Sequence, residues 1–260
     1  MASLFAAEGF SLRRVVCDGV DCGRPADERC ESPRVVMLLQ GRFAFRDAAT
    51  RAVASPAVAL RLRGGHSYRV SHPDGGDVCL CLQGALARAL VDDGPTASTV
   101  SAAGYVAAQR LATKLAANQP ISTLEVEETL CAALVPDAVP ARASRLRDRD
   151  RDAAAAMTYR LDRDLDARLS LVDVARTAGL SPFHACRVFR RSTGFSIHGY
   201  QRESRLRHAL ALLLDTDRPI AEIAVDLGFA NQGHLTNLFR RRFRTTPARA
   251  RHLGGASCDT

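Results

Sequence analysis

The order of apolar and polar positions divides the chain into a β-rich first part and a helical second part. Five short runs rich in β-branched, aliphatic and aromatic residues lie early in the chain, at 34–41, 43–45, 58–62, 68–70 and 78–82. Polar turns with glycine or proline, such as residues 64–65 and 73–76, separate them. Short strands at this spacing favour a small β-barrel or sandwich.

The apolar period changes to that of a helix across residues 99–134, with a break at Pro120. The spacing predicts two helices that pack on the β-structure or pair with a second copy of the chain. Residues 136–152 then combine two prolines with alternating charges and show no apolar face, which predicts a linker. We therefore expect an N-terminal domain at 1–135, a linker at 136–152 and a second domain at 153–254.

The second part is helical throughout and repeats itself. Residues 171–180 align with 220–229, and residues 184–191 align with 234–241. Such a repeat indicates two copies of one small unit. Each copy reads as a short amphipathic helix, a tight turn containing glycine, and a second helix.

Residues typical of helix starts and helix ends support this interpretation in the first copy. Ser170 suits the start of the leading helix, Gly179 its left-handed end, and Ser181 with Pro182 the start of the second helix. The connection at 197–214 predicts one helix of 18 residues, about 27 Å long at 1.5 Å per residue.

A helix-turn-helix is the interpretation that these units favour. The second helix of the first unit buries Ala185, Val188 and Phe189 and turns a basic face outward, as a helix does when it enters the major groove. The alternative for a single copy is an ordinary helical hairpin with a solvated arginine face. Here two copies occur at matched spacing, and the long helix between them can hold their second helices roughly one DNA turn (~34 Å) apart. This arrangement favours sequence-specific DNA binding.

The distribution of charge points to the same partner. The chain carries a formal net charge of +8, with 36 Lys and Arg against 28 Asp and Glu. Residues 1–152 hold 19 basic and 18 acidic residues, whereas residues 153–260 hold 17 and 10. Every basic residue except Lys114 is arginine, which suits bidentate contacts to phosphate and guanine. The second part is therefore expected to bind a polyanion.

Specific motifs in the second unit identify a family. They are IAEIA at 220–224, GF at 228–229, HL at 234–235, FRRRF at 239–243 and TPA at 246–248. The stretch 161–253 resembles the DNA-binding domain of the AraC/XylS family of bacterial transcription regulators. Two positions depart from the family pattern: Ile197 stands where the first unit usually has proline, and Arg244 replaces a usual glycine.

The resemblance implies an α+β two-domain protein with a cupin-like β-barrel, carrying packed helices, before an all-α double helix-turn-helix domain. It implies that the first domain senses an effector or dimerises, and that double-stranded DNA and RNA polymerase are partners. The base-facing residues would be Phe183, Cys186, Arg187, Gln232, Gly233, Thr236 and Asn237. Arginine can fork onto guanine, and asparagine or glutamine can pair with adenine. The arginines expected to hold phosphates are Arg190, Arg191, Arg240, Arg241 and Arg242.

The first domain offers little catalytic chemistry. His66 and His72 are the only histidines among residues 1–152, and on one strand they would lie roughly 20 Å apart at about 3.3 Å per residue. A cupin enzyme needs a cluster of histidines with a carboxylate. We therefore expect no metal, no cofactor and no enzymatic activity.

The cysteines leave one further site open. Cys79 and Cys81 lie at i and i+2 of a predicted strand, which places them on the same face and about 6.6 Å apart. They are a candidate thiol or ligand site for a soft metal, an electrophile or an oxidant. The other reading is that both are small apolar fillers. Three more cysteines, Cys17, Cys22 and Cys30, fall in a segment that reads as loop.

The leading hypothesis is a sequence-specific transcription regulator with an effector-sensing or dimerising first domain. One alternative is an architectural protein that coats DNA without choosing sites, and another is a cupin-type metalloenzyme with a DNA-binding tail. Apolar runs such as 35–39 are far too short for a membrane span, and residues 1–10 lack the pattern of a secretion signal. These features predict a cytoplasmic protein whose thiols stay reduced.

Overall fold

The computed structural model describes residues 3–17, 26–72, 76–92, 95–134 and 147–254. Two antiparallel sheets form its first part. The larger sheet has the spatial order β1 (Ser3–Ala7), β2 (Phe10–Cys17), β9 (Asp77–Gly84), β4 (Arg34–Gln40), β7 (Val58–Leu62) and β10 (Ala97–Thr99). The smaller sheet has the order β3 (Ala26–Arg29), β8 (Ser67–Ser71), β5 (Phe43–Arg46) and β6 (Arg51–Ala54).

Helices account for the rest of the regular structure. Three belong to the first part: α1 (Ala85–Asp92), α2 (Ala102–Ala116) and α3 (Thr123–Leu134). Seven follow: α4 (Asp148–Arg163), α5 (Leu171–Thr177), α6 (Pro182–Thr193), α7 (Ile197–Asp215), α8 (Ile220–Asp226), α9 (Gln232–Phe243) and α10 (Pro247–Gly254). None of the helices in the described ranges is long and apolar enough to cross a bilayer.

The two faces of the larger sheet bury different cores. Along β9, Cys79 and Cys81 pack into a cluster between the sheets with residues such as Phe45 from the smaller sheet. Leu80 and Leu82 face the opposite side, where the helices lie. Successive side chains of a β-strand point to opposite faces, so a strand that is covered on both faces contributes alternate residues to two cores.

The predicted division into a sheet-rich first part and a helical second part is confirmed, but the barrel is not. Among the described strands no hydrogen-bonded pairing closes either sheet: β1 and β10 are the edges of one, β3 and β6 of the other. The first part is thus two open sheets packed face to face. The sequence pattern did not predict strands β1, β2, β3, β6 and β10. Cys17 ends strand β2 rather than lying in a loop, Cys30 is buried, and Cys22 is outside the described residues.

Helices α2 and α3 pack closely against each other. A Cβ on Gly104 of α2 would lie 2.0 Å from the Cα of Ala133 in α3, so only glycine permits this approach. The apolar stripe of α2 is buried in the chain's own core, where Tyr105 and Leu111 join Leu206 and Leu210 of α7. The surplus apolar surface that suggested pairing with a second copy is therefore largely covered within the chain. Pairing through these helices stays a prediction.

Helix α4 begins inside the stretch expected to be a linker. It starts at Asp148, with Arg147 as its N-cap. Residues 148–152 are therefore its first five residues, and a boundary at 153 would cut it. Residues 135–146 lie outside the described part of the chain. The first turn contains Asp148 and Asp150. Their negative charges interact favourably with the positive end of the helix dipole and stabilise the helix.

The two parts of the chain share a core through α7. Leu206 and Leu210 of α7 join a cluster that contains strand residues such as Leu39 together with Leu235 and Phe239 of α9. The second helix-turn-helix unit therefore packs, through α7 and α2, against the sheet. A fragment that started at residue 153 would expose this apolar surface to water.

A fully buried arginine lies at this junction. Arg207 of α7 is 0% exposed, and its Nε donates to Glu203 Oε1 at 2.7 Å. Its other nitrogens donate to main-chain carbonyls of the first part, Pro56 O at 2.8 Å and Val100 O at 2.6 Å. All three nitrogens thus have partners, as a buried charge requires.

Arg244 occupies a backbone position that favours glycine. It ends α9 with φ of +57°, as Gly194 ends α6 with φ of +79°. A side chain costs roughly 1 kcal/mol in this conformation. We expect Arg244→Gly to raise the free energy of unfolding by about 1 kcal/mol, measured by denaturant titration. Arg244→Ala keeps the Cβ and is the control, so equal stabilities of these two variants would contradict the strain.

His208 gives the fold a predicted pH dependence. Its Nδ1 lies 2.9 Å from Ser204 O, and burial lowers its pKa below the usual 6.5, although Ser204 O and the nearby Asp162 carboxylate favour the charged form. The unfolded chain therefore takes up the proton first on acidification, so stability falls as the pH drops below about 6.5.

We expect the free energy of unfolding of the wild type to fall between about pH 7.5 and pH 5.5, and His208→Gln to remove part of that fall. The exposed His198 is on the same helix, so His198→Gln is the matched control. A pH profile for His208→Gln that superimposes on the wild-type profile would show that His208 does not titrate differently on folding.

Candidate DNA-binding surface

The first helix-turn-helix unit forms as its sequence predicts. Ser170 caps α5 in a capping box with Asp173, and Gly179 takes a left-handed φ of +62° in the turn. Ser181 caps α6 by accepting a hydrogen bond from His184 N at 3.4 Å, and Pro182 is its first residue. The two serines accept hydrogen bonds from backbone N–H groups that have no partner within the helix. Pro182 has no such N–H group, and Gly179 allows the chain to turn after α5.

Helix α6 separates its buried and exposed residues cleanly. Ala185, Val188 and Phe189 are buried. The outward face contains every residue that the sequence assigned to bases or phosphates in this unit: Phe183, Cys186, Arg187, Arg190 and Arg191. Phe183, near the start of α6, is 80% exposed, which is unusual for a phenylalanine and leaves its ring available for apolar contact with a thymine methyl.

The second unit repeats this arrangement. Asn231 caps α9 by accepting a hydrogen bond from His234 N at 2.8 Å, and Leu235 and Phe239 are the buried residues of α9. Among the predicted base readers Gln232, Gly233 and Asn237 are exposed, and Thr236 is half-buried. Arg240 and Arg241 are exposed on the same helix. Their contacts with DNA stay predictions.

Arg242 differs from the other predicted phosphate binders. Its Nε and one terminal nitrogen donate to the Glu203 carboxylate at 2.6 and 2.9 Å. Glu203 is also the partner of Arg207. Burial alone would raise the pKa of Glu203, but the two guanidiniums outweigh it and hold that pKa below its usual range. The guanidinium of Arg242 therefore fixes α9 to α7, and its contact with phosphate remains a prediction.

The two units are joined by one unbroken helix, as predicted. Helix α7 has 19 residues, which corresponds to about 28 Å at 1.5 Å per residue. Ile197, the residue that departs from the family pattern, is buried as the first residue of α7, just as Pro247 is buried as the first residue of α10. Ile197 therefore keeps the apolar contact that proline usually makes at this position, but it lacks the fixed φ of proline.

The surroundings of the candidate thiol site disfavour the thiolate form, and its role as a ligand site stays a prediction. Burial raises the pKa of Cys79 to about 12, with the negative charge of Asp77 adding to the shift. Burial also raises the pKa of Cys81, against a smaller opposing effect from Arg34 and Arg13. Both shifts favour the protonated thiol over the thiolate, which is the reactive form. The place of both cysteines in the core between the sheets matches the reading as small apolar fillers.

Three features were missed by the sequence reading: the Arg207–Glu203–Arg242 network, a cavity between the two parts of the chain, and a cluster of Cys17, His72 and Asp77. The only sequence signal for the first was an arginine four residues after a glutamate in α7, a spacing that places both on one face of the helix. The cavity and the cluster depend on pairings between residues far apart in the sequence, which no local pattern predicts.

Comparison with known proteins agrees with the geometry of this surface. A helix-turn-helix domain family matches residues 174–252. The regulatory protein SoxS of Escherichia coli K12 is 38% identical over 92 residues, which cover 35% of this chain and 86% of SoxS. The HTH-type transcriptional regulator GlxA of Rhizobium meliloti is 35% identical over 129 residues, 49% of this chain and 40% of GlxA. The match thus spans less than half the length of GlxA but most of SoxS.

A solved structure of an AraC-type DNA-binding regulator from Chromobacterium violaceum is 25% identical, covers 41% of this chain and 96% of its own, and superimposes with a TM-score of 0.39. The repeated helix-turn-helix units, their motifs and the match to 86% of SoxS lead to one assignment. The chain belongs to the AraC/XylS family of helix-turn-helix transcription regulators.

Proposed function

We infer that this protein is a DNA-binding transcription regulator that reads two successive major-groove segments of one site. The observation that carries the proposal is the pair of helices α6 and α9. Each is capped, anchored by a buried apolar face, and exposes polar and arginine side chains outward. DNA-reading helices present base-edge contacts and phosphate contacts in this way. In this proposal the protein works in the cytoplasm, contacts RNA polymerase and catalyses no reaction.

Selection of bound fragments from genomic DNA tests the proposal. The full-length chain should enrich fragments that share two short motifs about 10–10.5 base pairs apart, which is one turn of the double helix. Fragments recovered without any shared motif, at yields that depend only on salt, would support the architectural alternative instead.

The effector-sensing part of the proposal is supported by a cavity of about 340 Å³ between the two parts of the chain. Its walls come from β6, β7 and β10 on one side and from α4, the end of α6 and the start of α7 on the other. Cavities of this size hold small molecules. The hydroxyl of Ser98 lines the cavity, is buried, and has no hydrogen-bond partner among the described residues, so a bound molecule can satisfy it.

The charges around the cavity favour a neutral occupant. Arg51 and Arg151 both line it, but Arg51 is paired with Asp152, and Arg151 with Asp148 at 2.8 Å. Most of the remaining lining is apolar, with Ala154 and Phe195 as examples. The effector proposed is therefore a small apolar molecule with a single hydroxyl or carbonyl group.

The buried network offers a route from this cavity to the DNA-reading surface. Ala57 lines the cavity and directly follows Pro56, whose carbonyl binds Arg207. Arg207 holds Glu203, which in turn holds Arg242 at the end of α9. A molecule that shifts the first part of the chain at Pro56 would thus act on the position of the second recognition helix.

A cavity-filling variant tests this effector role. Ala155→Trp should block binding of neutral aromatic alcohols and amides, followed as a rise in melting temperature of the wild type. The exposed surface of α4 provides the control Arg149→Trp. If the two tryptophan variants respond alike to every compound that stabilises the wild type, the effector site is not this cavity.

A further inference from the structure

Three potential metal ligands meet at one end of the paired sheets. Cys17 is the last residue of β2 and lies directly opposite Asp77, the first residue of β9. His72 follows β8, which belongs to the other sheet. One ligand atom from each of the three side chains lies within 4.8 Å of the other two.

The surroundings hold these side chains in place. The Asp77 side chain is only 4% exposed, and its Oδ2 lies 2.5 Å from His72 Nδ1. The ring of His72 packs against Phe43 with 5.1 Å between centroids. Gly41 lies so close that a Cβ there would be 2.8 Å from the Cβ of Asp77. The carboxylate and the imidazole are therefore positioned by packing rather than left free on the surface.

The donor set selects a class of ion. A thiolate, an imidazole and a carboxylate together suit Zn²⁺ and similar first-row divalent ions, whereas Ca²⁺ and Mg²⁺ prefer oxygen ligands only. With bonds of about 2.0–2.3 Å, tetrahedral ligands lie roughly 3.3–3.6 Å apart. The His72 nitrogen and the Asp77 oxygen, 2.5 Å apart, would have to separate by about 1 Å. The Cys17 sulfur, within 4.8 Å of both, would have to approach by no more than about 1.5 Å.

We propose that Cys17, His72 and Asp77 bind one Zn²⁺ or similar thiophilic divalent ion, with water in the fourth position. The ion would replace the proton of the Cys17 thiol, which is released to solvent, and neutral His72 would bind it through the ring nitrogen that carries no proton. Since Cys17 and Asp77 belong to the larger sheet and His72 follows a strand of the smaller one, the ion would fasten the two sheets at this end. This site is separate from the DNA-binding surface and from the cavity.

Cobalt titration of the full-length chain, after removal of metals with a chelator, tests the proposal. We expect one Co²⁺ per chain at this site, with a thiolate-to-cobalt charge-transfer band and displacement by Zn²⁺. Cys17→Ser should abolish the band. His72→Gln and Asp77→Asn should each weaken binding at least as much as the roughly 10–100-fold loss seen for outer-shell partners. Cys131→Ser, at an exposed cysteine on α3, is the control and should keep the band.

A second measurement uses only the wild-type chain. Zn²⁺ should slow alkylation of Cys17, resolved from the other cysteines by peptide fragmentation, and should leave the alkylation rate of Cys131 unchanged. Zn²⁺ should also raise the melting temperature, because an ion that binds only the folded state stabilises it. A cobalt band that survives in Cys17→Ser, or alkylation of Cys17 at the same rate with and without Zn²⁺, would overturn the proposal.

Discussion

Arg207→Ala is expected to lower the free energy of unfolding by about 3–5 kcal/mol, the range for breaking a buried ion pair by removing one partner. The variant leaves the carbonyls of Pro56 and Val100 without their donor and opens a cavity beside Tyr105, over whose ring the guanidinium lies at 5.1 Å. Within the described part of the chain, Glu203 keeps only Arg242 as an ionic partner. Chemical denaturation followed by circular dichroism gives the free energy.

The control for this variant is Arg202→Ala, which removes an exposed arginine from the same helix and should change stability by no more than about 0.5 kcal/mol. Arg207→Met keeps most of the side-chain volume and separates packing from polar contacts. Wild-type stability in Arg207→Met would show that the buried hydrogen bonds add nothing to the junction between the two parts of the chain.

Arg187→Ala is expected to weaken binding to the preferred DNA site by about 1–3 kcal/mol, roughly 5–150-fold, and to relax the choice of one base pair. Arg187 lies on the exposed face of α6, within the first two turns of that helix. Side chains at that end of a recognition helix reach base edges. Affinities for the selected site and for a random duplex, measured at one salt concentration, give the effect.

Arg241→Ala is the matched control. Arg241 is exposed in the last turn of α9, so its loss should weaken specific and random DNA alike and reduce the salt slope by about 1. Equal losses on both duplexes for Arg187→Ala would show that Arg187 holds phosphate rather than a base. A loss confined to the selected site for Arg241→Ala would reverse the assignment of the two arginines.

The helical second part could be predicted from sequence because its information is local. Caps such as Ser181 and Asn231, and the periodic burial of Val188 and Phe189, depend on residues within one or two turns. The repeat of the unit then confirms each assignment independently. The left-handed conformation of Arg244 also agrees with the sequence signal, since that position usually has glycine in the family.

The rest could not be predicted because it depends on pairings between distant residues. Arg207 binds carbonyls that are 151 and 107 residues away along the chain. Cys17 meets Asp77 only through the register of β2 with β9, and β2 itself was not predicted. Histidines on one strand cannot form a metal site here, whereas the proposed ligands come from two sheets. Apolar patterning predicts strands but leaves open how they pair.

The ratio of dissociation constants for the selected site and a scrambled duplex, at one near-physiological salt concentration, tests the central claim most directly. A regulator that reads bases with α6 and α9 should bind its site at least about 10³-fold more tightly, since specific DNA-binding proteins reach roughly 10³–10⁷. Substitution of either motif of the site should reduce the ratio. A ratio close to one at every salt concentration would mean that the arginine-rich surface holds DNA without reading it, and would contradict the account.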